Sequence, residues 1–176
     1  MLAQDSDTTD TRLAIPAEFA LLPATIQDLP EMVALETASF SDPWTAKMFE
    51  GEMTGNQFAR VLVLRRHEQQ GGLGRLVGYF CYWLIFDELR IMNLAVQEGD
   101  RRKGLARAMV EQALLEGSRA GVRQALLEVR AGNLAARGLY GGLGFRETGV
   151  RKQYFRNPCE DAILMCADLV SENRAD

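Results

Sequence analysis

Between Leu76 and Ala120 the hydrophobic period of the chain changes once, and this change restricts the fold more than any other feature. Leu76 to Ile85 and Leu89 to Val96 are rich in Val, Ile, Leu and aromatic residues, the composition of strands. Asp87-Glu88 leaves room only for a tight connection between them, which predicts an antiparallel hairpin. From Gly104 to Ala120 the apolar positions are Leu105, Met109 and Ala113, flanked by Ala106, Val110 and Leu114. That is one stripe on a helix. The join is the basic, Gly-containing run Arg101-Arg102-Lys103-Gly104-Leu105-Ala106. A hairpin that feeds an amphipathic helix through a short turn buries both apolar faces when the helix packs on the sheet.

The flanking segments extend the pattern. Phe19 to Leu22 is a short apolar run that reads as a first strand. Asp28-Leu29-Pro30 reads as a helix start, with Asp as cap and Pro in the first turn, and Met32, Val33 and Leu35 supply its apolar face. Ser41-Asp42-Pro43-Trp44 repeats that pattern and opens a second helix towards Met53. Phe58 to Leu64 reads as a strand, and Gly71, Gly72 and Gly74 mark a turn. After the central helix, Ala125 to Val129 is a strand, Asn133 to Leu143 a helix, and Phe145 to Val150 and Ala162 to Leu169 two closing strands. The order is one strand, two helices, three strands, helix, strand, helix, two strands. This predicts a mixed α/β (α+β) fold in one domain over residues 19–170. Residues 1–18 and 171–176 read as polar tails.

Composition narrows the function. The 20 basic and 24 acidic residues leave a net charge of −4, without the basic excess expected of a nucleic-acid binder. The longest apolar stretch, Gly78 to Phe86, is about half of what a bilayer crossing needs, so no membrane role is expected. Cys81, Cys159 and Cys166 have no CxxC spacing and are odd in number, as for free thiols in a reducing cytoplasm. The single histidine, His67, argues against a Cys/His metal site and a Ser-His-Asp triad.

Three places carry chemistry. A helix start exposes unpaired N–H groups and the positive end of the helix dipole. Small residues at Gly104 and Ala106 admit a phosphate, and Arg101, Arg102, Lys103 and Arg107 add charge, so this run can cradle a pyrophosphate or can be a solvated basic turn. It is neither a P-loop nor GxGxxG, which weakens a nucleotide-binding structural role. Glu128 stands on a strand otherwise built for burial, where a carboxylate is costly unless paired or used; it can act in a reaction or pair with Arg130 on the same strand face. Asn133 can cap the next helix or bind a ligand, and Tyr140, between Leu139 and Leu143, can be core or a proton donor.

These sites occur together and in order. Asn93-Leu94-Ala95-Val96 followed by Arg101-x-x-Gly104-x-Ala106 resembles the central motif of the GNAT acetyltransferase superfamily. Leu127-Glu128-Val129-Arg130-Ala131-x-Asn133, then Leu139-Tyr140-x-x-Leu143-Gly144-Phe145, is similar to the ribosomal-protein-alanine N-acetyltransferases, the RimI family. Phe40-Ser41-Asp42-Pro43-Trp44, Tyr154-Phe155 and Glu160-Asp161-Ala162 match further segments of that family, and the similarity spans about Phe19 to Leu169. The loop Gln97 to Asp100 lacks a Pro often found there, which implies a local change of loop.

The resemblance implies a central mixed, mostly antiparallel twisted sheet flanked by about four helices. It implies acetyl-CoA as cosubstrate, with Leu94, Ala95 and Val96 along the pantetheine arm, Arg101, Arg102, Lys103, Gly104, Leu105, Ala106 and Arg107 at the pyrophosphate, Asn133 further along, and no metal. Glu128 would be the general base and Tyr140 the general acid in direct transfer. The implied acceptor is the N-terminal alanine of a small-subunit ribosomal protein, in the cytoplasm. Another protein N-terminus, a lysine or a small-molecule amine remains an alternative acceptor, as does a non-catalytic CoA-binding module.

Overall fold

The computed structural model describes residues 15–68 and 71–169. Of the two expected tails, residues 1–14 and 171–176 lie outside the described residues. The elements are β1 (Phe19–Pro23), α1 (Leu29–Ser39), α2 (Ala46–Glu50), β2 (Ala59–His67), β3 (Leu73–Ile85), β4 (Glu88–Val96), α3 (Leu105–Arg119), β5 (Gln124–Arg130), α4 (Leu134–Gly141), β6 (Arg146–Arg156) and β7 (Cys159–Asp168). They follow the expected order. The strands form one seven-stranded sheet, β1-β2-β3-β4-β5-β7-β6. Every pairing is antiparallel except β4 with β5. Among the described residues no helix is long and apolar enough to cross a membrane.

Helices cover both faces of the sheet, which is why β3 carries an uninterrupted buried run from Leu76 to Tyr82. On one face Tyr79 and Cys81 pack with Met32 of α1 and Phe49 of α2. On the other, Phe80 and Tyr82 pack with Leu105, Met109 and Ala113, the stripe read from the sequence, and with Tyr140 and Phe145.

Two features of β4 shape the rest. In the β3–β4 ladder Cys81 faces Asn93 and Tyr82 faces Ile91, so Met92 is an extra residue that bulges β4. Bulges bend a strand and re-aim its side chains. The parallel pairing of β4 with β5 runs only from Glu88↔Gln124 to Ile91↔Leu127. Beyond it β4 continues to Val96 and β5 to Arg130 with no ladder between them, and a cleft opens in the sheet. Gly78 lets β3 approach there, because a Cβ at this position would meet the Ala95 carbonyl oxygen at 2.9 Å.

Several local expectations are corrected. Asp28 does not cap α1 through its side chain. Its carboxylate instead accepts from Thr25 N–H at 2.6 Å and from Arg65 at 2.6 Å, closing the preceding turn. Ser41-Asp42-Pro43 is loop, and the second helix starts later, capped by the Thr45 hydroxyl, which accepts from Met48 N–H. That helix continues as a π-helical turn over Gly51–Gly55. β6 and β7 are longer than expected. β6 is an edge strand exposed along almost its whole length, so its pairing with β7 does not require apolar alternation and polar residues such as Lys152 and Arg156 hide it.

Candidate functional site

The gap between β4 and β5 continues into the start of α3, and there the expected phosphate cradle takes shape. Arg102 (φ 60°) and Gly104 (φ 79°) both adopt left-handed backbone around Lys103. Glycine takes that conformation without the strain other residues meet. This turn aims the start of α3, where the first amides have no intrahelical partner, at a cleft of about 500 Å³. Leu94, Ala95, Val96, Arg101, Arg102, Gly104, Leu105, Ala106, Arg107 and Asn133 line it, with Ala135, Ala136 and Leu139 of α4 on the far wall.

Lys103 is not among the lining residues; its ammonium lies 2.7 Å from Asp100. Asp100 is 1% exposed and is also gripped by Arg66 and Arg75. Burial opposes its charge, but Lys103 and Arg66 outweigh burial and hold the carboxyl below its ordinary range. The Pro-less loop folds into a 3-10 turn over Glu98–Asp100 around a buried anion.

Strand alternation decides what β4 offers. Gln97 N–H donates to the Val77 carbonyl at 2.8 Å. Counting back along an antiparallel ladder, Ala95 bonds to β3, while the N–H groups of Leu94 and Val96 face the cleft. The Val96 carbonyl is occupied by Arg101 Nε at 3.0 Å.

A second cleft, of about 380 Å³, adjoins the first and shares Phe40, Leu94, Asn133 and Ala136 with it. Glu128 of β5 and Tyr140 of α4 both line it, together with Trp44, Asn93 and Phe155. Tyr140 is 7% exposed, with its ring edge-on to Phe145 at 5.5 Å. Burial pushes its phenol well above the usual tyrosine range, so the hydroxyl keeps its proton. Asn133 does cap α4: its Oδ1 accepts from Ala136 N–H at 3.1 Å, and the residue still borders both clefts.

Glu128 differs from the expectation in two ways. It is an exposed residue rather than a desolvated one, because its strand face looks into the gap left by β4. It also does not pair with Arg130. The Arg130 guanidinium reaches Glu160 at 3.3 Å and the carbonyls of Asn157 and Pro158. Glu128 is bound instead by Arg151 at 2.7 Å and by the Tyr154 hydroxyl, a hydrogen bond that raises the Tyr154 pKa. Arg151 borders and Tyr154 lies within a bulge of β6, which Asp161 fixes by accepting from Gln153 N–H at 2.9 Å and Lys152 at 2.8 Å. A third cleft, of about 590 Å³, opens on this side between Trp44, Trp83, Met92 and Tyr154, with Glu128 at its edge.

The approach to Glu128 has a rim made of two loops. Ser41 Oγ donates to the Asn157 carbonyl, and Asn157 Nδ2 donates to the Ser41 carbonyl at 2.9 Å. The segment before α2 and the β6–β7 turn are thereby tied across the opening. Phe40 to Trp44, Asn93 and Tyr154, from segments that match the family, converge here. Sequence reasoning missed Glu36, Arg151 and this tie. Glu36 had a signal, since it lies one helical turn after Met32 on the buried face of α1. Arg151 had none, because its position depends on how β6 pairs. Among the described residues no group of three or more His, Cys, Asp or Glu is placed to hold a metal.

Residues 29–145 match the model of the acetyltransferase (GNAT) family. The chain is 34% identical over 140 residues to the [ribosomal protein bS18]-alanine N-acetyltransferase of Escherichia coli (strain K12), covering 78% of this chain and 89% of that protein. It superimposes on the crystal structure of the E. coli ribosomal-protein-S18-alanine N-acetyltransferase with a TM-score of 0.75 at 29% identity, over 90% of this chain and 99% of the other. The fold alone is shared with Arabidopsis thaliana NAA60 in complex with acetyl-CoA, at a TM-score of 0.74 and 18% identity, over 86% and 98% of the two chains.

Proposed function

Because the chain belongs to the GNAT acetyltransferase family, we propose that it transfers the acetyl group of acetyl-CoA to the N-terminal alanine of a bS18-type ribosomal protein. The observation that carries this reading is the pair of adjoining clefts at the parting of β4 and β5. One is lined for an anionic, amide-bearing ligand, and the other holds a carboxylate and a protonated phenol.

Acetyl-CoA supplies the acetyl group as a thioester. The amides at the start of α3, with the Arg101, Arg102 and Arg107 guanidinium groups and the backbone from Lys103 to Ala106, hold its pyrophosphate. The cleft-facing N–H groups of Leu94 and Val96 hold the pantetheine amides and meet the negative charge that develops on the thioester oxygen. Asn133 contacts the cosubstrate where the two clefts meet.

The acceptor is an α-amine with an ordinary pKa of about 8, so much of it is protonated at neutral pH. Glu128 takes that proton, directly or through one water, and the freed nitrogen attacks the thioester carbonyl carbon. The C–S bond then breaks as Tyr140 gives its proton to the departing thiolate, and the second proton shed by the acylated nitrogen, carried through solvent, restores the phenol. A cytoplasmic reaction is in keeping with the ribosomal acceptor named for the relatives.

The test is mass spectrometry of a bS18 N-terminal peptide, with Ala first and an internal Lys, after incubation with the protein and acetyl-CoA. Acetyl on the terminal amine, lost in Glu128→Gln, is the expected result. Acetyl on the lysine alone would defeat the α-amine reading.

A further inference from the structure

Glu36 has no part in the steps above, yet it is 1% exposed and borders the cleft that holds Glu128 and Tyr140. Its Oε1 accepts from Trp44 N–H at 2.8 Å and from Asn93 Nδ2 at 3.1 Å, and its Oε2 accepts from the Tyr79 hydroxyl. These donors come from the segment before α2, from β4 beside its bulge, and from β3. Three donors converge on this one carboxyl, but burial outweighs the Trp44 and Asn93 hydrogen bonds and raises its pKa above the ordinary range.

The arrangement fixes more than Glu36. An Asn side chain is a donor at one end and an acceptor at the other. With Nδ2 committed to Glu36, Asn93 must turn Oδ1 the other way. That oxygen lies 3.2 Å from the Tyr79 hydroxyl, which also reaches Glu36, and a bond from Tyr79 would use only one of its two lone pairs. Asn93 Oδ1 is left with acceptor capacity on a half-buried residue that borders the cleft.

We infer that Asn93 is a substrate-binding residue whose Oδ1 accepts a hydrogen bond from the acceptor's primary amine, and that Glu36 is the positioning residue that orients it. The inference rests on the acyl-transfer reading. Glu36 also holds Trp44, so one buried carboxyl group sets both the amine anchor and the opposite wall of the acceptor cleft.

The test is steady-state kinetics of Asn93→Ala, Glu36→Ala and Glu36→Gln, with acetyl-CoA affinity measured by calorimetry and Tm recorded for each. The acceptor is a peptide set that varies the first residue and includes one peptide with a blocked N-terminus and a free lysine. Asn93→Ala and Glu36→Ala should raise the acceptor KM by about tenfold or more, as for loss of a hydrogen bond to a charged group. Acetyl-CoA affinity should be unchanged. Glu36→Gln keeps an acceptor for Trp44 and Asn93, so it should stay within about threefold of the unmodified protein. A lowered Tm with unchanged acceptor KM in Asn93→Ala and Glu36→Ala would overturn the inference and leave the cluster as a brace. If the unmodified protein acetylates only the lysine, the α-amine reading fails, and the KM for that amine still decides the role of Asn93. If it acetylates no amine, both fall.

Discussion

Arg151 reaches Glu128 across an intervening strand. The two residues belong to β6 and β5, which never pair; β7 lies between them, and Arg151 stands opposite Ala162 while Glu128 stands opposite Leu164. Even so, the guanidinium lies 2.7 Å from the carboxylate. A candidate base already bound by an internal cation must exchange that cation for the substrate's ammonium. Arg151→Met keeps most of the stem and removes the competitor. Partly exposed ion pairs are worth up to about 1 kcal/mol, so kcat/KM for the acceptor should rise by about two- to fivefold at low salt. The gain should shrink as salt screens the pair. An unchanged or lowered kcat/KM at low salt would show that Arg151 assists the acceptor instead.

Glu128→Gln and Tyr140→Phe should each lower kcat by about 10²-fold or more, the usual scale for proton transfer by a positioned side chain, and leave acetyl-CoA affinity intact. Burial raises the Tyr140 pKa. The protonated donor form therefore persists as pH rises past the ordinary tyrosine value of about 10. The pH–kcat profile should show no fall from this group between about pH 8 and 10, and single-turnover rates across that range would check it.

Gly104→Ala meets no steric obstacle, since nothing lies within 4 Å of the added Cβ. Its cost is the left-handed backbone, at about 1–2 kcal/mol. The strain can be relieved only by reshaping the turn that aims α3. A lower Tm together with at least threefold weaker acetyl-CoA binding is expected from calorimetry; the Tm change alone would detach the turn from the cofactor.

Asp100→Asn leaves Arg66, Arg75 and Lys103 crowded around a neutral group. With those cations partly exposed, the expected loss is about 1–3 kcal/mol in urea unfolding. The carboxyl pKa is depressed in the folded protein. Its contribution is thus present above the unfolded value of about 3.8 and is lost as pH falls through the folded value. The variant should show a flatter decline of stability below pH 4 than the unmodified protein.

Much of this architecture was legible before any coordinates. The period change at Gly104 located α3, and its stripe of Leu105, Met109 and Ala113 does face the sheet. The Gly motif pointed to the turn at the head of the first cleft because local backbone chemistry shapes that turn. What stayed hidden depends on pairing over long distances. Nothing in the pattern of β4 and β5 says that their ladder stops at Ile91 and Leu127. Pairing with Arg130, two residues along, is the alternative the sequence offers for Glu128, and Arg151 stays hidden because it comes from a strand two places away in the sheet. Glu36 was readable in principle, as a charge on a buried helical stripe, but its partners Tyr79 and Asn93 were not.

The early end of the β4–β5 ladder has a thermodynamic side. Where the strands part, the Leu94 and Val96 amides face a gap that a third backbone would otherwise fill. A ligand bearing its own amides, laid along that edge, plays the part of a guest strand. It stabilises the folded chain by mass action, in proportion to the logarithm of its concentration over Kd. On the proposed reaction, the molecule consumed is thus also a stabiliser of the fold, and Tm should rise with its concentration.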